Sequence, residues 1–395
     1  MSKAQALAAS SGCFHRRLSL SNGVLLVAAI LAGPTLCLLP AASHLTGKVL
    51  TVEGPVDPDT LGVTIVQEHV FVNWNVSSDA PPVPATKVGF YLRPLTMDML
   101  GAVIMGYPNR DNRILGSQET AIQELEEYKR QGGGAIVEVT SLGLGRDPQA
   151  LARVSRATGV SIIMGTGWSR DDRYPSDLSE RSVEDLTQEI IRDVTVGAEG
   201  TGIRAGVIGQ VMTAGNELTA REIKVMRAAG RASRSTGAPL SVHAGSYLDD
   251  YDPGPILDLL ESEGTGLGRV IVGHADSLAK DMRRLESVLK RGVYVGFSLL
   301  GEFPMLRQRA TAAHVADGIL ELIRMGYLER LLLSPGVDQK VDLKSYGGTG
   351  YSFVLTQFVP LLKRKGVTRD QVHTLLVENP RRALTFAAPG PGGEQ

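Results

Sequence analysis

Cysteine is almost absent from this sequence: Cys13 and Cys37 are the only two, and both lie close to the N-terminus. Such a low count excludes a disulfide framework and a thiolate metal site in the body of the chain. An excess of positive or negative charge is also missing, because the formal net charge is −1 over 395 residues. This balance gives no sign of binding to nucleic acid or to an anionic membrane. Chemistry in the body of the chain must therefore use histidines, carboxylates and backbone groups.

Acidic residues are absent from residues 1–52. In that stretch the basic pair Arg16 and Arg17 precedes the apolar run 24–39, and small residues follow it. The run is shorter than the ~20 residues that a membrane-spanning helix needs. This order predicts an export signal over residues 1–45, of the twin-arginine type, for a periplasmic or secreted protein. A membrane anchor and an organellar transit peptide remain the alternatives.

The body of the chain alternates short apolar strands with longer amphipathic helices, eight times over. Eight such units predict a single (β/α)₈ TIM barrel over residues 46–386, followed by a flexible tail at 387–395. A doubly wound sheet is the alternative, but the glycine fingerprint expected after its first strand is missing. The predicted strands are 63–66, 135–139, 161–164, 205–208, 240–242, 270–272, 293–297 and 331–333.

The first predicted strand breaks off into three polar residues, Gln67, Glu68 and His69. Loops beyond the carboxyl ends of parallel strands form the active-site crevice of α/β barrels, so this polar cluster predicts a functional site. Side chains alternate along a strand, which places Gln67 and His69 on one face and Glu68 on the other.

Three of the seven histidines, His69, His243 and His274, each follow a predicted strand closely. In a barrel these strand ends converge on one mouth, where imidazoles from different strands suit a rigid zinc site. The alternative is that each histidine only satisfies a hydrogen bond near the rim of the barrel. The residues alone leave both interpretations open.

Five longer segments carry a family resemblance: GGGAIVEVT at 132–140, GIRAGVIGQ at 202–210, SVHAG at 241–245, YGGTGY at 346–351 and LLVENPRR at 375–382. With them the chain resembles the phosphotriesterase-related proteins, a branch of the amidohydrolase superfamily, over nearly all of residues 46–386. The resemblance implies a (β/α)₈ barrel with two divalent metals, usually zinc, at its mouth. It also implies that a bridging hydroxide attacks a phosphotriester, lactone, carboxyl ester or amide.

The sequence departs from the family pattern at three of the six metal-ligand positions. Gln67 stands where the resemblance implies the first histidine of a His-x-His pair, and Gln210 where it implies a bridging carboxylate. Gly336 stands where it implies the aspartate of the last strand. Two dications held close together need negative charge beside them, so we expect no normal binuclear centre.

The remaining ligands, His69, His243 and His274, allow at most one zinc ion with a water molecule in the fourth position. Such an ion lowers the pKa of its bound water and makes it a nucleophile. Asp338, two residues beyond Gly336, is a weak candidate for the catalytic base.

Two functions follow from this pattern. One is hydrolysis of a small ester, lactone, phosphotriester or amide by zinc-activated water at a degraded metal site. The other is a catalytically inactive family member, a pseudoenzyme, that serves as a module for small-molecule binding or for assembly. The expected partner is a small molecule in both cases, with a homodimer as the expected assembly. The sequence leaves open whether the chain is an enzyme and whether it binds any metal.

Overall fold

The central element of the chain is an eight-stranded parallel sheet whose strands follow one another in sequence order. We analysed a computed structural model, which describes residues 42–76, 83–243, 251–302 and 310–390. This sheet and its surrounding helices confirm the predicted (β/α)₈ barrel. The strands are β1 Val63–Glu68, β2 Gly133–Glu138, β3 Ser161–Thr166, β4 Val207–Met212, β5 Leu240–His243, β6 Val270–Val272, β7 Tyr294–Phe297 and β8 Leu331–Leu333.

Helices connect the strands and cover the outside of the sheet. Two short helices, α1 Val88–Leu92 and α2 Leu100–Ile104, lie in the long connection after β1. The remaining helices are α3 Gln118–Arg130, α4 Pro148–Thr158, α5 Val183–Thr195, α6 Ala220–Thr236, α7 Gly254–Ser262, α8 Met282–Leu289, α9 Ala312–Arg324, α10 Val359–Arg364, α11 Arg369–His373 and α12 Asn379–Leu384. Among the described residues, no helix is long and apolar enough to cross a membrane.

Local sequence explains where the helices begin. Ser182 before α5 and Thr219 before α6 each accept a hydrogen bond from the third helical N–H, and an acidic side chain at that position bonds back. These reciprocal bonds satisfy amide groups that the first turn of a helix leaves without partners. Gly237 ends α6 in the left-handed conformation, with φ +74°.

Alternation along the strands divides the apolar core into two clusters. In β2, Ala135 and Val137 pack with Ile271 of β6 and Leu332 of β8 in the barrel interior. Ile136, between them, belongs to the larger cluster that strands and helices form together. This pattern is typical of a barrel whose interior is filled by side chains and whose outside is covered by helices.

Four strands extend further at their carboxyl ends than the sequence indicates, namely β1, β3, β4 and β5. β1 continues through Gln67 and Glu68, and β4 continues through Gln210 to Met212. The prediction ended both strands where the β-branched run stops. β1 and β4 continue through polar residues because their carboxyl ends are buried, and the polar side chains there form hydrogen bonds inside the barrel.

The predicted N-terminal leader lies almost entirely outside the described residues, so it stays a prediction. At the other end, Ala387 N donates to Gly237 O at 2.9 Å and Gly390 N donates to Arg234 O at 2.8 Å. These two bonds attach the start of the predicted tail to the end of α6.

Side chains join β1 to β8, where the sheet closes on itself. Ser334 Oγ, just after β8, accepts from Val66 N at 3.0 Å and from Gln67 N at 2.9 Å. Glu68 in turn accepts from Ser334 Oγ at 2.5 Å, from Gly336 N and from Val337 N. Burial raises the pKa of Glu68 to about 8, against the lowering effect of these three donors. Glu68 thus faces away from the residues beside it on β1, as alternation predicts.

Replacing Glu68 tests how much these hydrogen bonds between β1 and the residues after β8 stabilise the barrel. Glu68→Ala leaves three buried donors without an acceptor, and we expect the free energy of unfolding to fall by about 3 kcal/mol. Urea denaturation measures the change, with Glu126→Ala on the exposed face of α3 as the control. An equal, small effect of both substitutions would contradict the role of Glu68 in closing the barrel.

Candidate functional site

The side-chain amide of Gln210 is the centre of a buried cluster at the carboxyl ends of the strands. Its Oε1 accepts from Gln67 Nε2 at 3.1 Å and lies 2.8 Å from His243 Nε2. Its Nε2 lies 3.5 Å from His69 Nε2. We call Gln67, His69, Gln210 and His243 the amide–imidazole network. It joins three strand ends, those of β1, β4 and β5, through one amide.

The opposite side of the His69 ring is held by a chain of polar groups. Its Nδ1 lies 2.7 Å from Thr140 Oγ1, and Thr140 Oγ1 donates to the Glu138 carboxylate. The same carboxylate oxygen accepts from Val70 N at 3.3 Å. A hydroxyl has one hydrogen to donate, so His69 must supply the hydrogen on Nδ1. Its Nε2 then carries a lone pair and accepts from the amino group of Gln210.

The same reasoning assigns the proton on His243. A side-chain amide oxygen only accepts, so His243 Nε2 carries a hydrogen and donates to Gln210. Burial lowers the pKa of His243 to about 3, with smaller contributions from His69, Arg170 and Arg173. Burial likewise lowers the pKa of His69 to about 4. Both rings are therefore neutral. Gln210 lies against Nε2 of each ring, while Nδ1 of His243 is buried and has no hydrogen-bond partner among the described residues.

His274 lies beside this network, directly after β6. Its ring stacks on that of His243 with centroids 3.9 Å apart and an interplanar angle of 29°. His274 N donates to Ser298 Oγ at 3.0 Å. The glycine before it gives Gln67 its space, since a Cβ at Gly273 would lie 2.2 Å from Gln67 Oε1. The structure thus brings all three predicted histidines to one end of the barrel.

The donor set does not fit the metals that the family resemblance implies. His243 Nε2 is engaged in its hydrogen bond to Gln210, so Nδ1 is the one nitrogen of this ring that has a lone pair to offer an ion. Two imidazoles on one tetrahedral zinc ion, with Zn–N distances of about 2.0–2.1 Å, have centroids about 5 Å apart. The stacked rings of His243 and His274 are closer than that. Within the described ranges, no three His, Cys, Asp or Glu side chains are arranged to hold an ion.

Gly336 lies outside the amide–imidazole network and has no room for a side chain. Its φ is +84°, and a Cβ there would lie 2.4 Å from Ser298 O. Its backbone N–H already donates to Glu68 at 3.1 Å. An aspartate therefore cannot be placed at Gly336 without moving the backbone.

A cavity of about 410 Å³ opens above the network, and Gln67, His69, Gln210 and His274 contribute to its lining. Its volume lies within the range of small-molecule sites, roughly 300–1,000 Å³. Asp338, the predicted candidate base, lines the same cavity, and its negative charge partly offsets the lowering of the pKa of His69.

Sequence reasoning missed the cationic part of this cavity. Arg113, Arg170 and Arg173 line it, as does Trp74, whose ring lies 4.5 Å from the Arg173 guanidinium. A charged group at 170–173 directly after β3 was an available signal, because residues beyond strand ends form barrel sites. Trp74 and Arg113 gave no such signal, since they flank a long connection with no motif.

Comparison with known proteins agrees with this fold. The model of the phosphotriesterase family matches residues 47–384. The N-acetyltaurine hydrolase of Danio rerio is 33% identical over 352 residues, which cover 87% of this chain and 99% of the relative.

Two solved structures are similar over most of the chain. The resiniferatoxin-binding protein from Rhodobacter sphaeroides has a TM-score of 0.82 and 32% identity, covering 89% of this chain and 99% of its own. The phosphotriesterase homology protein from Escherichia coli, solved with phosphate in its active site, has a TM-score of 0.70 and 28% identity, covering 82% and 99%.

The fold and the site thus define a (β/α)₈ barrel with its polar cluster at the carboxyl ends of the strands. The chain belongs to the phosphotriesterase family, whose members are generally metal-dependent hydrolases. Gln67, Gln210 and Gly336, the positions at which the sequence predicts departures from the family pattern, are the features that a functional account has to explain.

The neutral histidines predict how stability depends on pH. Their pKa values of about 4 and about 3 in the folded chain lie below the ordinary 6.5, so acidification from pH 6.5 protonates the unfolded chain first. Each histidine therefore lowers the free energy of unfolding by roughly 1.5 kcal/mol as the pH falls from 6.5 to 5. Burial raises the pKa of Glu68 to about 8 and that of Glu138 to about 7, and these two carboxyl groups act in the opposite direction, so the histidine contribution is measured by urea denaturation of matched variants at both pH values.

A His243→Gln variant isolates one of these contributions. We expect it to lose roughly 1.5 kcal/mol less than the unchanged chain over the same interval. The control, His373→Gln, removes an exposed imidazole, and its pH profile should run parallel to that of the unchanged chain. If the His243→Gln profile is also parallel, His243 is not held neutral in the folded state.

Proposed function

We propose that this chain is a small-molecule-binding member of the phosphotriesterase family that has lost zinc-dependent hydrolysis. The observation that carries the proposal is the position of the Gln210 amide. It bonds to Gln67 and His243 and lies next to His69, so it engages Nε2 of two histidines that the family resemblance implies as metal ligands. The amide–imidazole network holds these two nitrogens without a cation.

The cavity supports a binding role. It has a volume of about 410 Å³ and is lined by polar and aromatic side chains. One similar solved protein is named for a compound that it binds.

Hydrolysis of a small ester, lactone, phosphotriester or amide with one zinc ion is the second candidate. It is favoured by the placement of His69, His243 and His274 at one end of the barrel, and by the names of relatives such as N-acetyltaurine hydrolase. Asp338 would then be the candidate catalytic base, since it lines the same cavity as His69.

Metal content and activity of the purified chain separate the two candidates. We expect well under one zinc or manganese ion per chain after growth with added metal. We also expect no hydrolysis of N-acetyltaurine, lactones, carboxyl esters or phosphotriesters above the rate in buffer. About one zinc ion per chain, with hydrolysis that a chelator removes, would overturn the proposal.

The double variant Gln67→His/Gln210→Glu provides the positive control. It restores an imidazole and a carboxylate where the backbone already accommodates side chains of similar size, so we expect it to bind zinc more tightly than the unchanged chain. Gly336→Asp is left out of this variant because its side chain would collide with Ser298 O. Failure of both chains to bind zinc supports the loss of metal binding throughout the site.

A further inference from the structure

The cavity contains two charged side chains of opposite sign that lack a charged partner among the described residues. Arg113 donates from Nη2 to the backbone carbonyl of Trp74 at 2.8 Å, and its buried Nε has no hydrogen-bond partner in the described chain. The carboxylate of Asp338 has no hydrogen bond or ion pair there either. Both residues line the cavity.

Trp74 fixes the arrangement of these two residues. Its backbone carbonyl accepts from Arg113, while its indole Nε1 donates to the backbone carbonyl of Asp338 at 2.8 Å. The Arg173 guanidinium lies 4.5 Å from the centre of the same indole, and the His69 ring meets it edge-on at 5.0 Å. The side chain of Arg113 and the backbone of Asp338 are therefore both held by one buried tryptophan residue.

We propose that the cavity binds a small zwitterion, whose anionic group lies against Arg113 and whose cationic group lies against Asp338. This inference rests on the proposed binding function and names the class of ligand. A carboxylate or sulfonate suits a guanidinium, which offers several N–H donors in one plane. An ammonium group suits the carboxylate of Asp338. A short carbon chain keeps both groups of the ligand inside one cavity of about 410 Å³.

Ligands with a single charge fit the lining less well. An anion would meet the carboxylates of Asp338 and Glu302, which share the cavity with the arginines. A cation would meet Arg113, and the positive field of Arg170 and Arg173 extends far enough to lower the pKa of His243. A zwitterion pairs with both kinds of group and leaves neither charge buried alone.

Three compounds of nearly equal size test the charge requirement. β-Alanine carries both charges, butyrate replaces its ammonium by a methyl group, and β-alaninamide replaces its carboxylate by a neutral amide. Titration calorimetry and thermal shift should show binding of β-alanine, with butyrate and β-alaninamide each at least about tenfold weaker. Glycine and γ-aminobutyrate, tested in parallel, vary only the length of the carbon chain.

Two variants assign the charges to residues. Arg113→Met should remove the preference for β-alanine over β-alaninamide, while Asp338→Asn should remove the preference over butyrate. Arg156→Met and Asp177→Asn, which change exposed groups outside the cavity, should leave both preferences intact. The melting temperature of each variant without ligand checks that it is folded, and Asp338→Asn keeps the shape of the side chain if Arg113→Met does not fold.

The inference is overturned if none of the three zwitterions binds, or if butyrate or β-alaninamide binds as tightly as β-alanine. It is also overturned if binding is selective but neither variant changes the preference. None of these outcomes bears on the proposed function, which the zinc content decides by itself.

Discussion

One amide group determines the chemistry of this barrel. Gln210 places an acceptor where its relatives are expected to place an anion, and that acceptor draws a proton onto His243 Nε2. Its amino group faces the lone pair of His69. Because an amide supplies both a donor and an acceptor, it can satisfy two imidazoles at once, which a carboxylate cannot do without protons or metal ions. The network at this position is neutral and forms without a cation.

The scaffold around the network has kept what a binding site requires. Glu68 joins β1 to β8 through Ser334 and two backbone N–H groups, so the end of the barrel that carries the cavity is held closed. Glu138 acts through Thr140 to orient His69. These carboxyl groups have structural partners, and neither lines the cavity. The rigidity of the site thus does not depend on a metal ion.

The sequence predicted the fold and part of the site for identifiable reasons. Alternation in β1 separated Gln67 and His69 from Glu68, and strand ends located His243 and His274. The tautomers could not be predicted, because they follow from partners such as Thr140 that are distant in sequence. The lack of space for a side chain at Gly336 could not be predicted either, because the sequence does not show that a Cβ there would meet Ser298 O.

The central claim is that His243 and His69 are neutral rings with opposite tautomers, held by Gln210. Nuclear magnetic resonance of the chain with ¹⁵N-labelled histidine measures this directly. The account predicts a proton on Nε2 of His243 and on Nδ1 of His69 at neutral pH, with both signals unchanged when zinc is added in excess. Loss of the Nε2 proton of His243 on addition of zinc, or its absence from the start, would contradict the account.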